Sequence, residues 1–130
     1  MLVDTLGLLL SIVVHAADIQ DRDGAALVLD CRTRALFPFI LAIFADAGYR
    51  GPRAAAAARC SGRRRLRSVR RPQSAPGFVV LPKRWIVERT LAWLTRCRRL
   101  ARNLENLAST SVALIRLAMI KLMARRLARS

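Results

Sequence analysis

A mixed α/β domain is predicted by three features of the sequence. The first 17 residues hold two short arms rich in Leu, Ile and Val, which suit extended strands. The uninterrupted apolar run Leu41 to Ala45 is closed by Asp46 and Gly48, as in a central strand covered on both faces. The last third instead repeats apolar residues at helical spacing between arginines. At 130 residues and 54% hydrophobic, the chain suffices for one domain and is too short for two ordinary ones.

In chain order, Met1 to Thr5 forms the first arm and Leu8 to Ala16 the second, with Gly7 at the join and His15 ending the second strand. Asp18 to Asp23 is a polar turn, and Asp21 or Asp23 is the expected N-cap of a helix from Gly24 to about Arg34. Pro38 ends any helix that reaches it. Asp46 then stands at the C-terminal end of the Leu41 to Ala45 strand, where ligands and catalytic groups collect in open α/β sheets. On position alone, a turn aspartate before Gly48 is an equally good account.

Residues 50–77 change character, with an alanine run at Ala54 to Ala58, a basic cluster at Arg63, Arg64 and Arg65, and breakers at Pro72, Pro76 and Gly77. Leu66 to Val69 reads as a strand within it. Pro82 precedes a helix from about Lys83 to Arg102. Stepping about 100° per residue from Glu88 places Arg84, Thr95, Arg99 and Arg102 within about 40° of it, with Ile86, Trp93, Leu94, Cys97, Leu100 and Ala101 opposite. On spacing alone, Glu88 is an exposed acid paired with Arg84 one turn earlier. A last helix is expected from about Ser109 to Ala128, capped by Ser109, Thr110 or Ser111, with Val112, Ile115, Met119, Leu122 and Met123 as its apolar face. Arg116 and Lys121 make it a poor membrane span.

Charge narrows the partners. Lys plus Arg number 24 against 8 acids, for a net charge of +16. That field favours a nucleic acid first and an anionic membrane surface second, with unselected drift of an arginine-rich reading frame third. Cys31, Cys60 and Cys97 lie far apart without metal-ligand spacing, as expected of reduced thiols in a cytoplasmic protein. A lone His15 excludes histidine-based metal and acid/base constellations. Leu6 to Val14 is preceded only by Asp4, of the wrong sign for a secretory signal.

Three stretches, in order, resemble the DDE transposases of bacterial insertion sequences. They are Leu2-Val3-Asp4-Thr5-Leu6-Gly7-Leu8 with His15-Ala16-Ala17-Asp18-Ile19-Gln20-Asp21-Arg22-Asp23-Gly24, then Phe44-Ala45-Asp46-Ala47-Gly48-Tyr49-Arg50-Gly51, then Leu81-Pro82-Lys83-Arg84-Trp85-Ile86-Val87-Glu88-Arg89-Thr90-Leu91-Ala92-Trp93-Leu94. The resemblance implies an RNase-H-like fold, a mixed sheet flanked by helices, in which three carboxylates from distant parts of the chain hold Mg²⁺. It makes Asp46 the second carboxylate and Glu88 the third, both catalytic and metal-binding. It also makes Arg84 the basic residue four positions before the glutamate, on a DNA phosphate. Lys83, Arg89, Arg96, Arg99 and Arg102 complete the expected DNA-binding set. Two divalent ions suit such acids, because phosphodiester cleavage and strand transfer need one to activate the attacking oxygen and one to stabilise the leaving oxygen.

Two departures bear on activity. The family's first carboxylate lies on a strand upstream of the Leu2-to-Leu8 stretch, where this chain begins; Asp4 belongs to the next strand and is not assigned that role. The expectation is a partial catalytic domain over residues 1–130, lacking the first strand, with two of three metal ligands and negligible strand transfer alone. DNA is the expected partner, with self-assembly or assembly with a full-length transposase, and no membrane. Second, residues 53–76 depart from the family's helix and strand of balanced charge; an Ala/Arg-rich replacement there is what compensating frameshifts would leave. Re-sequencing that stretch and finding no alternative frame would exclude the frameshift.

Overall fold

Along the chain the elements are β1 (Leu2–Val3), β2 (Leu9–Ser11), α1 (Asp21–Val28), α2 (Cys31–Leu36), β3 (Ala42–Ala45), α3 (Pro52–Cys60), β4 (Arg65–Ser68), α4 (Arg84–Thr95), α5 (Arg98–Ala101) and α6 (Ala108–Leu127). This computed structural model describes residues 1–46, 48–49, 51–60, 65–69, 83–102 and 105–129. Arg63, Arg64, Pro72, Pro76, Gly77 and Pro82 therefore lie outside the described residues. The mixed α/β class is as expected. The chain divides into two compact units, Met1–His15 with Ile86–Ser130, and Ala16–Trp85.

In the first unit, β1 and β2 pair antiparallel, Leu2 opposite Ser11 and Val3 opposite Leu9. Asp4 builds the turn between them. Its carboxylate accepts from the amides of Leu6 (2.8 Å) and Leu8 (2.7 Å), and its own amide donates to the Leu8 carbonyl (2.9 Å). Gly7 completes the turn at φ +78°, a left-handed conformation that L side chains rarely adopt. The second arm is shorter than expected: β2 stops at Ser11, so His15 lies beyond the strand.

Helix α4 buries Ile86, Thr90 and Leu94, one residue per turn on a single face. The continuous helix expected to reach Arg102 breaks after Thr95. The Cys97 amide turns back to the Leu94 carbonyl (3.0 Å), and α5 restarts with Cys97 as an extended N-cap. That break resets the helical phase, so the angular count that put Arg99 and Arg102 beside Glu88 does not extend past α4. In α6, Met119 (1% exposed) and Ser111 are buried, with Val112, Ile115, Leu122 and Met123 half-buried on the expected face. The expected serine or threonine cap is absent: the N-cap is Leu107, and Ser109, Thr110 and Ser111 lie within the first turn.

In the second unit, the helix expected from Gly24 to Arg34 is two helices joined at Leu29-Asp30, and Asp21 falls inside α1, whose N-cap is Gln20. The Asp30 carboxylate accepts from the Thr33 amide at 2.8 Å, capping α2, while Thr33 donates its hydroxyl to the Val28 carbonyl at 2.9 Å. An aspartate that satisfies a free amide favours a new helix start over continuation. That bond holds the Asp30 carboxyl below its ordinary pKa. The cap's contribution is therefore fully present above the ordinary carboxylate pKa and is lost as pH falls through the lowered pKa of the folded chain.

The alanine run becomes α3, which packs on α1 and β4. Ala54 and Ala58, one turn apart, are 0% and 1% exposed, as Ala25 of α1 and Leu29 just after it are buried. Small residues let helices approach closely, so we expect Ala54→Leu to overpack this contact. The cost should be about 1–3 kcal/mol, read as a lower urea midpoint at unchanged slope.

Strands β3 and β4 pair in parallel, Ala42 to Ala45 against Arg65 to Ser68. The prediction of a strand covered on both faces fails here. Only Ile43 is buried; Leu41 is 77% and Phe44 40% exposed. Parallel pairing sets Phe44 beside Arg67 and Ile43 beside Leu66, so polar neighbours border one face of the apolar run. Lys83 and Arg67 lie over the Phe44 ring, at 3.7 and 6.0 Å from its centroid.

Candidate functional site

Asp46 follows β3 directly and is exposed. Its carbonyl accepts from the Tyr49 amide at 3.0 Å, so it both ends the strand and opens the turn over Gly48. Strand end and turn, rival accounts from sequence, are the same position.

Glu88 is exposed on α4, and its orientation follows from what the opposite side of the helix does. Thr90, fully buried, donates its hydroxyl to the Gly7 carbonyl at 2.8 Å and lies 3.0 Å from the Ile86 carbonyl. Arg89 donates Nη2 to the Leu6 carbonyl at 2.8 Å. Both anchor α4 on the β1–β2 turn. Two guanidiniums contact the Trp93 indole, Arg89 at 4.9 Å and Arg126 at 4.6 Å from the ring centroid, so α6 joins the same cluster through cation–π contacts. Of the triplet Glu88-Arg89-Thr90, the acid points out and its two followers hold the helix in place.

The other cations expected at DNA divide by environment. Arg84, first residue of α4, is exposed, as are Arg96 in the turn after it and Arg102 after α5. Arg99 is 70% exposed and pairs through Nε with Glu105 at 2.8 Å. Lys83 sits at φ 66° with its ammonium on Phe44. Arg89 is half-buried and turned inward.

As metal donors, Asp46 and Glu88 are hard oxygen ligands of the kind that suit Mg²⁺. They fit such an ion in type. In number they fall short, since no group of three His, Cys, Asp or Glu side chains able to hold a metal occurs among the described residues. Asp4, whose carboxylate is committed to two backbone amides, belongs to the turn. Gly7 was placed at the strand join and Trp93 on the apolar side from sequence, but the anchoring role of Thr90 was missed; the available signal was a threonine at the one-turn spacing of Ile86 and Leu94, where an apolar residue is usual.

A family model described as transposase DDE domain matches residues 1–123. The chain belongs to that family. The match runs through both segments that hold Asp46 and Glu88 and through the intervening α3 and β4. Searches of curated proteins and of solved structures returned no match. Membership of the transposase DDE family implies DNA as the substrate and divalent metal ions in its chemistry. Among the described residues, no helix is long and apolar enough to cross a membrane.

Proposed function

We propose that this chain supplies the second and third carboxylates of a DDE centre, Asp46 and Glu88, on a partial RNase-H-like fold that cleaves and joins insertion-sequence DNA. The observation that carries the reading is the exposure of both acids at fixed positions, one at a strand end and one on an anchored helix, within a chain that the family matches over residues 1–123. Asp46 and Glu88 would hold divalent ions, typically Mg²⁺, which would supply activation of the attacking oxygen and stabilisation of the leaving oxygen. Arg84 neutralises a DNA phosphate one turn before Glu88, and Arg96 and Arg102 extend the attraction. The Gly7, Thr90 and Arg89 contacts keep Glu88 from drifting with its helix.

The test separates metal binding from turnover. Mn²⁺ added to the chain with DNA should lose its free-ion electron-paramagnetic signal, and Asp46→Asn with Glu88→Gln should restore it. Joined element ends should be undetectable with this chain alone, since two carboxylates replace the usual three. Efficient Mg²⁺-dependent joining, or Mn²⁺ uptake unchanged in the double variant, would overturn the assignment.

A second reading is favoured by the net charge of +16, which draws a polyanion whether or not an ion is held. In it, the chain binds DNA without catalysis and interferes with a full-length relative by mixed assembly. Its mark is salt-sensitive DNA binding that Asp46→Ala and Glu88→Ala leave unchanged.

A further inference from the structure

Helix α6 is apolar on two sides. One side is the packed face around Met119. The other consists of Ala113, Leu117, Ile120, Ala124 and Leu127, all exposed, with Leu117 at 61%, Ile120 at 55% and Leu127 at 76%. Their spacing alternates four and three residues, which keeps them in one line along the helix. That is the a/d pattern with which one helix receives another as knobs into holes. A lone exposed leucine needs no explanation, but a line of five small and branched residues over two heptads is a surface with a period.

We propose that this outward stripe of α6 docks a partner helix whose apolar seam is rimmed by acidic residues. The charge beside the stripe selects that occupant. Arg116 and Lys121, both exposed, occupy the two flanking positions of the seam, and α6 contains no acid at all. A second copy of α6 in parallel would set Arg116 against Lys121 across the seam, and an antiparallel copy would set like against like. Glutamates at the partner's flanking positions turn both clashes into ion pairs. The chain's net charge of +16 acts in the same sense, drawing an acidic helix and repelling a copy of itself.

The test uses the whole chain and a synthetic four-heptad peptide with Leu at the seam and Glu at the flanks, followed by fluorescence anisotropy. The Glu-flanked peptide should bind, and one with Lys flanks should not. Leu117→Ser with Ile120→Ser, at exposed positions, should weaken binding roughly tenfold or more while leaving the circular dichroism unchanged. Arg116→Glu with Lys121→Glu should reverse the preference towards the Lys-flanked peptide. Four results would overturn the proposal. Equal binding of a scrambled peptide of the same composition would reduce it to charge attraction. A dimer of the chain alone, dissolved by the two serines, would make a second copy the occupant. Phosphatidylglycerol vesicles outcompeting the peptide through the same residues would assign the stripe to a membrane surface. A charge reversal without effect would leave the acidic rim without a role.

Discussion

Gly7→Ala should destabilise the chain by about 2–4 kcal/mol and lower its melting temperature by roughly 10 °C. Two costs combine. The backbone at Gly7 stands at φ +78°, where any Cβ adds about 1 kcal/mol. A Cβ there would also stand 2.8 Å from the Thr90 hydroxyl and 3.2 Å from the Trp93 ring. Neither neighbour yields freely: the hydroxyl is bonded to the Gly7 carbonyl and the ring is in contact with the guanidiniums of Arg89 and Arg126. Overpacking of that kind costs about 1–3 kcal/mol.

A double-mutant cycle isolates the contact. Thr90→Ala alone deprives a buried carbonyl of its donor and should cost about 1–3 kcal/mol. In the Gly7→Ala background it also vacates the space the new methyl needs, so its cost should shrink by about 0.5–3 kcal/mol. Additive costs would mean that the turn and α4 do not share this contact in solution. With this contact broken, Glu88 loses its fixed orientation together with stability, because the residue that faces solvent and the two that grip the turn are consecutive.

The exposed placement of Asp46 at a strand end and of Glu88 on a helix was legible in the sequence because both follow from local pattern, and the family segments singled these two acids out as the proposed ligands. The mixed α/β class was legible for the same reason. The helix breaks were not. Asp30 ends one helix by starting another through a single side-chain bond, which composition does not reveal. The kink after Thr95 lies in Arg96-Cys97-Arg98, where no proline or glycine announces it. Strand β3 misled in the other direction: a continuous apolar run signals burial on both sides, yet its described sheet has two strands and Phe44 is covered by cations instead. The alanine run lies in the stretch whose character changes, and it holds two of the most buried side chains. Alanine carries no periodic signal of its own, since its small volume matters only once a partner helix is known.

Arg84→Ala, Arg96→Ala and Arg102→Ala together should weaken DNA binding across unrelated sequences, whereas Arg89→Ala should act on stability. The three are exposed, and each phosphate contact they make releases counterions, so each should lower the slope of log affinity against log salt by about 0.9. The triple variant's slope should fall by roughly 3, with the largest loss of affinity at low salt. Arg89 carries the same charge, but its guanidinium is bonded to the Leu6 carbonyl and stacked on Trp93. Removing it takes away a hydrogen bond, a cation–π contact and part of the anchor of α4, for about 1–3 kcal/mol of stability and little change in slope. Titrations of fluorescent duplexes at several salt concentrations, beside urea melts, distinguish the two classes. A slope change from Arg89→Ala equal to that of Arg84→Ala would mean that Arg89 leaves the turn to meet DNA, and the hydrogen bond from α4 to the turn would then rest on Thr90.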